Sequence, residues 1–376
     1  MTKRGNGEGS IYQDSRGLYR AAVSLPSGKR KYLSGKTRQD VAKKLNAAIE
    51  TREKGLPLPG LRLSTAKYLN DWLEQAVKPS QKPLTYEKYD QVVRTHIAPA
   101  IGKVPLARLS PEHVQKLQGQ MAAKGLSVAT INGMRTALSA ALSQAERWGL
   151  VARNVVRLVD APRSGQAEPR VLQPEEARAF LAASGGDEME YLFATMLYTG
   201  LRPGEARGLR WADVQLGGAA PSIQVRQQVV ELKDQGRVFG DPKSQHGRRD
   251  IPLIRPAASA LQAQKRRVAE LRLRAGELWR DRDLVFPGEL GEPLVARTVR
   301  DHFGRIARQA GITDATPHTL RHSTGTFLLA ASVPDRIVQA ILGHGSAAMT
   351  RHYQHVLPAM LSDAGARLAR FLEATS

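Results

Sequence analysis

The stretch YTGLRPGEARGL, residues 198–209, decides how the second half of the chain folds. Gly200 can end one helix, because glycine readily adopts the left-handed conformation found there, and Pro203 can begin the next helix. The stretch therefore predicts two helices joined by a sharp turn. Arg202 lies at this junction, and Glu205 lies in the first turn of the second helix. An ion pair of Arg202 with Glu205 that only stabilises the junction is the alternative interpretation.

The composition of the whole chain points to a polyanionic partner. Its 376 residues include 56 lysines and arginines against 35 acidic residues, which gives a formal net charge of +21. Nucleic acid is the first candidate for such a partner. The sequence contains no cysteine, which excludes disulfides, thiol catalysis and thiolate zinc sites and suits a reducing compartment.

A membrane partner is not expected. No apolar run approaches the ~18 residues that a spanning helix needs. The first residues, MTKRGNGEGS, show no apolar signal region after their basic start. We therefore expect a cytoplasmic protein.

Residues 1–58 are expected to form a small N-terminal domain. Three short β-prone runs separated by turn signals fill residues 10–33, and Thr37 can cap a helix that reaches about Thr51. Residues 1–60 hold 13 basic and 5 acidic side chains, the highest density of positive charge in the chain. Such a module suits phosphate binding, although a merely solvated basic surface is the alternative.

Two further domains are predicted from the linkers. KGLPLPGLR at residues 54–62 and APRSGQAEPR at residues 161–170 lack periodicity and carry proline and glycine. Between them, residues 62–158 look helical, with a cap at Ser110 and a long helix from Ser127 to about Trp148. Residues 168–376 mix helices with two strand regions, SIQVRQQVVEL and RRDIPLI, bridged by turn-rich sequence. The expected fold class is mainly α with small β elements.

The stretch TPHTLRHSTGTFLLA, residues 316–330, holds a second group of polar residues. Thr316 and Pro317 are typical of a helix start, so His318 and Arg321 should project from nearly the same face of its first turns. His322 lies four residues after His318, a spacing that can ligate zinc. A metal is disfavoured, because the glutamate of an H-E-x-x-H motif is missing and Arg321 lies beside the site.

The last third of the chain contains three more polar candidates. Lys243 lies in the turn-rich bridge, with Lys233 as an alternative in the same region. His344 follows Gly343, where a helix should end, and Tyr353 should lie on a helix capped by Ser346.

These side chains are what phosphodiester transfer through a phenolate needs without a metal or a cofactor. Arginines hold the non-bridging oxygens of a phosphate and stay protonated at any working pH. The tyrosine, with an ordinary pKa of ~10, needs a base or cationic neighbours to become a nucleophile. A mobile ammonium can protonate the leaving hydroxyl. One phosphodiester replaces another, so no ATP is needed, and the sequence has no Walker A motif.

Three segments together resemble the signature of the tyrosine recombinases, specifically the phage-type, lambda-integrase-like integrases. They are TGLRPGEARGL, HTLRH and LGHGSAAMTRHYQHV, the last at residues 342–356. The resemblance extends over the whole chain. It implies an arm-type DNA-binding domain in residues 1–58, a SAM-like core-binding domain in residues 62–158 and a mixed α/β catalytic domain in residues 168–376.

The resemblance also implies the site residues. Those that match the family's catalytic positions are Arg202, Lys243, His318, Arg321, His344 and Tyr353, and Glu205 falls at a supporting acidic position. Tyr353 would form a 3′-phosphotyrosyl link and release a 5′-hydroxyl. Arg202, Arg321 and His344 would stabilise the transition state, Lys243 would protonate the departing oxygen and His318 would manage protons near the nucleophile. His352 and His355 receive no role.

The partners implied by the resemblance are double-stranded DNA, with core and arm attachment sites, and three further copies of the chain. A homo-tetramer would exchange strands through a Holliday junction to integrate or excise a phage or other mobile element. A host bending factor or an excisionase would be an additional partner. Residues 357–376 have an apolar helix face, which can dock on its own domain or on a neighbouring copy.

Two other functions remain open at the level of sequence. A protein with this scaffold can bind DNA without cleaving it, as an architectural or regulatory factor. A type IB topoisomerase would use the same chemistry, but the basic N-terminal module favours bridging two DNA sites over relaxing one duplex.

Overall fold

The computed structural model describes residues 11–24, 30–53, 63–163, 169–218, 220–242 and 245–343. They form two compact units, one within residues 1–165 and one within residues 166–376. Both units are largely helical with small antiparallel sheets, which confirms the predicted fold class. The linker predicted at residues 54–62, and the centre of the one at residues 161–170, lie outside the described residues.

The first unit begins with a three-stranded sheet and a helix, as predicted. The elements are β1 (Ile11–Gln13), β2 (Tyr19–Ser24), β3 (Arg30–Gly35) and α1 (Arg38–Glu53). The sheet is antiparallel in the order β1-β2-β3. Thr37 Oγ1 accepts a hydrogen bond from Asp40 N at 3.1 Å, so the predicted cap is present. Val41 and Leu45 on α1 pack against Ala21 of β2 in a small core of their own.

The helical part of the first unit has a separate, larger core. Its helices are α2 (Thr65–Trp72), α3 (Lys78–Ser80), α4 (Pro83–Val92), α5 (Ala98–Ile101), α6 (Pro111–Ala123) and α7 (Val128–Arg147). Short 3-10 turns cover Leu106–Arg108 and Val155–Leu158. The predicted caps Ser110 and Ser127 precede α6 and α7. Apolar side chains from these helices bury one another, and Tyr68 donates its hydroxyl to Ala141 O at 2.6 Å inside the core.

Two wide turns carry this unit past prolines without ending its helices. In Leu73–Val77 and Val93–Ile97 the backbone forms π-helix, closed by bonds from Lys78 N to Leu73 O and from Ala98 N to Val93 O. A proline follows each donor directly. Because proline lacks an N–H and its ring clashes with the carbonyl four residues earlier, a regular α-helix would kink there. The wider turn accommodates the ring, and the apolar face continues.

The second unit surrounds a core of aromatic and aliphatic side chains with helices. Its helices are α8 (Pro174–Ala183), α9 (Glu190–Thr199), α10 (Pro203–Gly208), α11 (Arg255–Ala275), α12 (Ala296–Gln309), α13 (Pro317–Ala330) and α14 (Asp335–Leu342). Short 3-10 turns cover Trp211–Asp213, Gln245–Gly247 and Gly276–Leu278. The rings of Phe180, Phe193 and Phe303 pack together with centroids 4.9 to 5.7 Å apart. The core therefore joins α8, α9 and α12.

The strands described in this unit form two sheets. They are β4 (Val214–Gln215), β5 (Ser222–Val225), β6 (Gln228–Leu232), β7 (Gly236–Gly240) and β8 (Arg249–Pro252). One sheet has the order β4-β5-β8, and β6 pairs with β7 in a separate hairpin. The turn-rich bridge predicted from sequence thus contains a strand. Gly236, at a φ of +68°, closes a tight turn that returns the chain alongside β6.

The predicted helix boundaries near the last polar candidates are confirmed up to residue 343. Thr316 and Pro317 begin α13, and Gly343, at a φ of +67°, ends α14. The cap at Ser346, the helix carrying Tyr353 and the apolar face of residues 357–376 lie outside the described residues. No described helix is both long and apolar enough to cross a membrane.

Candidate active site

The junction between α9 and α10 has the geometry that the sequence predicts. Gly200 ends α9 in the left-handed conformation with a φ of +67°, and Pro203 begins α10. Glu205 Oε2 accepts a hydrogen bond from Arg202 N at 3.0 Å, which fixes the backbone at the turn. A Cβ atom added to Gly200 would lie 2.5 Å from Leu342 Cδ2. The junction therefore packs directly against the end of α14.

Glu205 holds two guanidinium groups in the interior. Arg202 NH1 donates to Oε1 at 2.7 Å, and Arg249 donates to both carboxylate oxygens, at 3.2 Å from NH1 and 2.9 Å from NH2. The Glu205 side chain is 1% exposed. Its burial raises the pKa, but the hydrogen bonds and charges of Arg249 and Arg202 outweigh that effect and hold the pKa of Glu205 below its ordinary value. Glu205 is thus a carboxylate in the folded protein at neutral pH.

Arg321 lies at the meeting point of two helix ends. It is buried, with 1% of its surface exposed, and donates to Gly200 O at 2.7 Å and to Leu342 O at 2.5 Å. Carbonyl groups at a helix C-terminus carry partial negative charge, so they favour a cation there. Arg202 NH2 reaches the next carbonyl, Gly343 O, at 3.4 Å. The two arginines predicted to bind phosphate therefore converge on the turn that leads to His344.

His318 lies one helical turn before Arg321 but in a different environment. Its side chain is exposed, and its ring packs edge to face against that of His322 with centroids 5.0 Å apart. The predicted shared face thus holds one buried cation and one imidazole open to solvent. Within the described ranges, no group of three histidine or acidic side chains has a spacing that suits a metal ion.

Lys243, His344 and Tyr353 lie outside the described residues, but the chain on either side of residues 243–244 and the chain up to Gly343 are described. The segment that follows Lys243 contacts the turn that precedes His344: a Cβ atom on Gly343 would lie 2.6 Å from His246 O. On the other side of Lys243, Gln228 Nε2 donates to Asp241 O at 2.9 Å. The backbone after Lys243 therefore lies against Gly343, and the backbone before it is tied to the start of β6.

The alternative lysine lies at the opposite end of the hairpin. Gln228 pairs with Gly240 where β6 begins, and Leu232 pairs with Gly236 where it ends. Lys233 follows in the connecting turn. At ~3.4 Å per residue, five residues of strand place Lys233 roughly 17 Å along the hairpin from Gln228. This separation favours Lys243 over Lys233 for a role beside the arginines.

Arg249 is the residue that the sequence interpretation missed. It begins β8, where its side chain and that of Ile251 face inward while Asp250 faces solvent. Besides Glu205, it donates to Ile341 O at 2.6 Å from Nε and to Gly247 O at 3.0 Å from NH1. The available signal was the alternation of RRDIPLI, which puts Arg249 on the same side as Ile251. An arginine at an inward strand position needs a buried anion, and Glu205 supplies it.

Family models match both units. The model of the "Phage integrase family" matches residues 170–360, which are 191 of the 376 residues, and that of the "Phage integrase, N-terminal SAM-like domain" matches residues 66–122. The chain is 31% identical over 361 residues to an integrase of Streptomyces ambofaciens, covering 93% of this chain and 92% of that relative. It is 33% identical over 233 residues to the tyrosine recombinase XerD of Pseudomonas aeruginosa, covering 59% and 69%.

Solved structures share the fold. The Tn1549 transposon integrase in complex with transposon right end DNA superposes with a TM-score of 0.67 at 24% identity, covering 81% of this chain and 99% of that one. A lambda integrase tetramer bound to a Holliday junction superposes with a TM-score of 0.57 at 19% identity, covering 95% and 99%. Together with the family matches, these likenesses show that the chain belongs to the phage integrase family and is a site-specific tyrosine recombinase, an enzyme that cleaves and rejoins DNA.

Proposed function

We propose that this recombinase integrates or excises a phage or other mobile element, with Tyr353 as its nucleophile. The observation that carries the proposal is the convergence of Arg202 and Arg321 on consecutive carbonyls, Gly343 O and Leu342 O, at the turn before His344. Two guanidiniums beside one turn suit a phosphodiester whose negative charge grows as it is attacked. The backbone that follows Lys243 lies, at His246, against the same turn.

The proposed cleavage exchanges one phosphodiester for another. Tyr353 Oη attacks the scissile phosphorus, the bond from phosphorus to the 5′-oxygen breaks, and a 3′-phosphotyrosyl ester and a 5′-hydroxyl form. The phenol proton passes to a base, for which His318 is the candidate, and the ammonium of Lys243 protonates the departing 5′-oxygen. The 5′-hydroxyl of a partner strand reverses these steps to rejoin the DNA. No cofactor or metal takes part in the proposal.

The arginines and His344 are proposed to stabilise the charge that develops on the phosphate. Arg202 suits direct contact, since 18% of its side chain is exposed while Glu205 holds one edge of its guanidinium. Arg321 is anchored more deeply and supplies a positive charge that cannot be lost by titration. Glu205 has a supporting role: it aligns Arg202 and offsets the cost of burying two cations.

Trapping of the covalent intermediate tests the nucleophile. A nicked duplex that releases a short strand after cleavage should leave a denaturant-resistant protein–DNA band with the wild-type chain. Tyr353→Phe should abolish that band, whereas Tyr198→Phe, at a half-buried tyrosine in α9, should keep it. Equal trapping by wild type and Tyr353→Phe would show that the assignment is wrong. Absence of any band with the wild type would support the alternative, a protein that binds DNA without cleaving it.

The N-terminal sheet is proposed to bind arm-type sites, within a division into residues 1–58, 62–158 and 168–376. Tyr12 pairs with Arg20, and Ala22 pairs with Tyr32, so these side chains share one face of the sheet. Tyr12 and Tyr32 are 46% and 60% exposed, and α1 covers the opposite face. Aromatic rings and an arginine on an exposed sheet are suited to a nucleic-acid groove. Removing residues 1–60 should weaken arm-site binding and its salt dependence while core-site cleavage continues.

Assembly on DNA completes the proposal. A homo-tetramer on core and arm sites would exchange strands in pairs, and a host bending factor or an excisionase would set the direction. The solved lambda integrase tetramer on a Holliday junction has the same fold as this chain, which supports such an assembly. The mass of the protein–DNA complex, measured with a synthetic junction, tests for four copies. Sequencing the strand-exchange junctions would give the attachment sites and the overlap length.

A further inference from the structure

Arg249 connects three segments of chain that the proposed function requires to act together. Its guanidinium contacts Glu205 in α10, Gly247 O in the segment that follows Lys243, and Ile341 O in the last turn of α14. These partners are 44, 2 and 92 residues away in sequence. No shorter or less branched side chain offers donors in so many directions.

The surroundings of Arg249 leave little room for it to move. Its side chain is 5% exposed, and Glu205, its anionic partner, is 1% exposed. A Cβ atom on Gly343 would lie 2.9 Å from Arg249 Cδ, so the glycine that ends α14 is also the space that the arginine stem occupies. Breaking a buried pair of this kind leaves an uncompensated charge, which keeps the contact closed in the folded protein.

The contacts make Arg249 a link between Arg202 and the backbone that follows Lys243. Through Glu205 it is joined to Arg202, which bonds the same carboxylate. Through Gly247 O it fixes the backbone four residues after Lys243, and through Ile341 O it fixes the helix end three residues before His344. A shift of about 1 Å in such an arrangement costs far more catalysis than binding, because proton transfer depends steeply on distance.

We infer that Arg249 is a positioning residue that holds the chain following Lys243, at Gly247, in register with Arg202 and so with the phosphate that Arg202 is proposed to bind. Arg249 does not touch the DNA in this inference; it acts through Lys243 and therefore on protonation of the departing 5′-oxygen. The inference rests on the proposed function, since it takes Lys243 as the general acid.

Changing the leaving group of the DNA substrate tests whether Arg249 acts on protonation of the 5′-oxygen or only stabilises the fold. In a duplex with sulfur in place of the bridging 5′-oxygen, the departing thiolate needs no proton. Loss of a general acid typically costs ~10²-fold or more with the oxygen substrate, and Arg249→Lys should therefore slow cleavage by about that factor. With the sulfur substrate, Arg249→Lys should cleave within about threefold of the wild type. Lys243→Ala serves as the reference for this pattern.

A matched control is available at the preceding residue. Arg248 has a side chain that is 65% exposed and pairs with Asp241 at 2.7 Å, so Arg248→Lys should change neither rate. DNA affinity and melting temperature are measured for each variant alongside single-turnover cleavage. If Arg249→Lys does not fold at the assay temperature, Arg249→Gln is assayed at a lower temperature with the same two duplexes.

The outcomes distinguish the inference from the proposed function. Equal slowing of Arg249→Lys on both duplexes would overturn the inference, as would cleavage of the oxygen duplex at the wild-type rate. Sulfur rescue of Lys243→Ala without rescue of Arg249→Lys would leave the proposed function intact and the inference wrong. Failure of the wild type to form any covalent product would contradict the proposed function itself.

Discussion

The interiors of the two units differ in their charged residues. In the helical core of the first unit, the buried polar side chains of the described residues are the uncharged Thr65, Gln118 and Asn154. The described part of the second unit buries five charged residues, namely Asp187, Glu205, Arg207, Asp213 and Arg321, and the side chain of Arg249 is a sixth with only 5% exposed. The apolar clusters of the two cores are of similar extent. A stable core of this size therefore does not need buried charge.

The difference shows that the second unit accepts the free-energy cost of burying ions, and some of these ions border the proposed site. Each buried ion costs several kcal/mol unless a partner of good geometry offsets it. Some of the second unit's charges simply join elements, as Arg207 of α10 does with Glu231 of β6 at 2.6 Å. Glu205 and Arg321 instead border the proposed phosphate site. Buried charge alone therefore does not identify a functional site; the position of the charged groups relative to the proposed phosphate does.

The largest effect is expected where a buried arginine meets the proposed site. Arg321→Lys keeps the charge but loses the forked donors to Gly200 O and Leu342 O, so single-turnover cleavage should fall by roughly 10²–10³-fold. Arg135 is the counterpart in the first unit and donates to Val159 O at 2.6 Å. Arg135→Lys should leave the cleavage rate of the bound complex unchanged. If the two variants cleave a saturating concentration of duplex at similar rates, the buried arginine of the second unit has no special role in cleavage.

Alanine variants of two glycines separate the effect of backbone strain from that of steric crowding. Gly125→Ala should introduce strain alone, whereas Gly200→Ala should introduce both. Gly125 in the first unit has a φ of +72° with open space around a Cβ, whereas a Cβ on Gly200 would meet Leu342 Cδ2 at 2.5 Å. Alanine at a left-handed position costs about 1–2 kcal/mol, so Gly125→Ala should lower the free energy of unfolding by that amount. Gly200→Ala should cost about 1–3 kcal/mol more, because the methyl group overpacks the helix end. Urea unfolding of both variants measures the difference, and equal losses would contradict it.

Acid titration should separate Glu205 from an exposed carboxylate. The pKa of Glu205 is below its ordinary value of 4.5 in the folded protein. Its ionisation therefore contributes stability that is fully present above the unfolded pKa and is lost as the pH falls through the folded value. Glu205→Gln should be less stable than the wild type at pH 7, and its stability should fall less below pH 4.5.

Glu74 in the first unit is the matched control for this titration. Hydrogen bonds from Tyr86 and Lys78 lower the pKa of Glu74, but its side chain is 44% exposed. Solvent screens such pairs, so Glu74→Gln should change the acid limb of the stability curve much less than Glu205→Gln. Melting temperatures between pH 3 and pH 7 test both variants. If the two variants change the pH dependence of the melting temperature equally, burial of Glu205 does not increase its contribution to stability.

The smallest effects should come from exposed ion pairs, in which the two units are alike. Lys44 and Asp40 in the first unit are 47% and 46% exposed, and Arg178 and Glu175 in the second are 74% and 73% exposed. Replacing Lys44 or Arg178 with alanine should each cost less than about 1 kcal/mol. A larger loss at Arg178, measured by urea unfolding, would extend the contrast between the units from their interiors to their surfaces.

Local signals made the helix ends of the site predictable. Gly200, Pro203, Thr316 and Gly343 each act within a few residues, through a left-handed φ, a fixed φ or a cap. These signals depend on nearby backbone alone, and the structure confirms all four boundaries. They also predicted the ion pair of Arg202 with Glu205 as one of two interpretations, and that pair is present.

Contacts between distant segments were not predictable in the same way. The bonds of Arg249 to Glu205 and Ile341 span 44 and 92 residues, and no local pattern encodes such partners. Strand β7 was missed because its residues, GRVFG, have glycine at both ends and little alternation. The roles of Lys243, His344 and Tyr353 remain predictions, since these residues lie outside the described part of the chain.

The anchoring of Arg321 by main-chain oxygens has a consequence for engineering. Because Gly200 O and Leu342 O belong to the backbone, the guanidinium keeps these two bonds whichever side chains a designer chooses for nearby exposed positions. Libraries that retarget such a recombinase to new DNA can therefore randomise the exposed face of α12 without dismantling this anchor. Gly200 and Gly343 should stay unchanged together with Arg321, because the left-handed conformation of each glycine ends a helix at the carbonyls that bond the guanidinium.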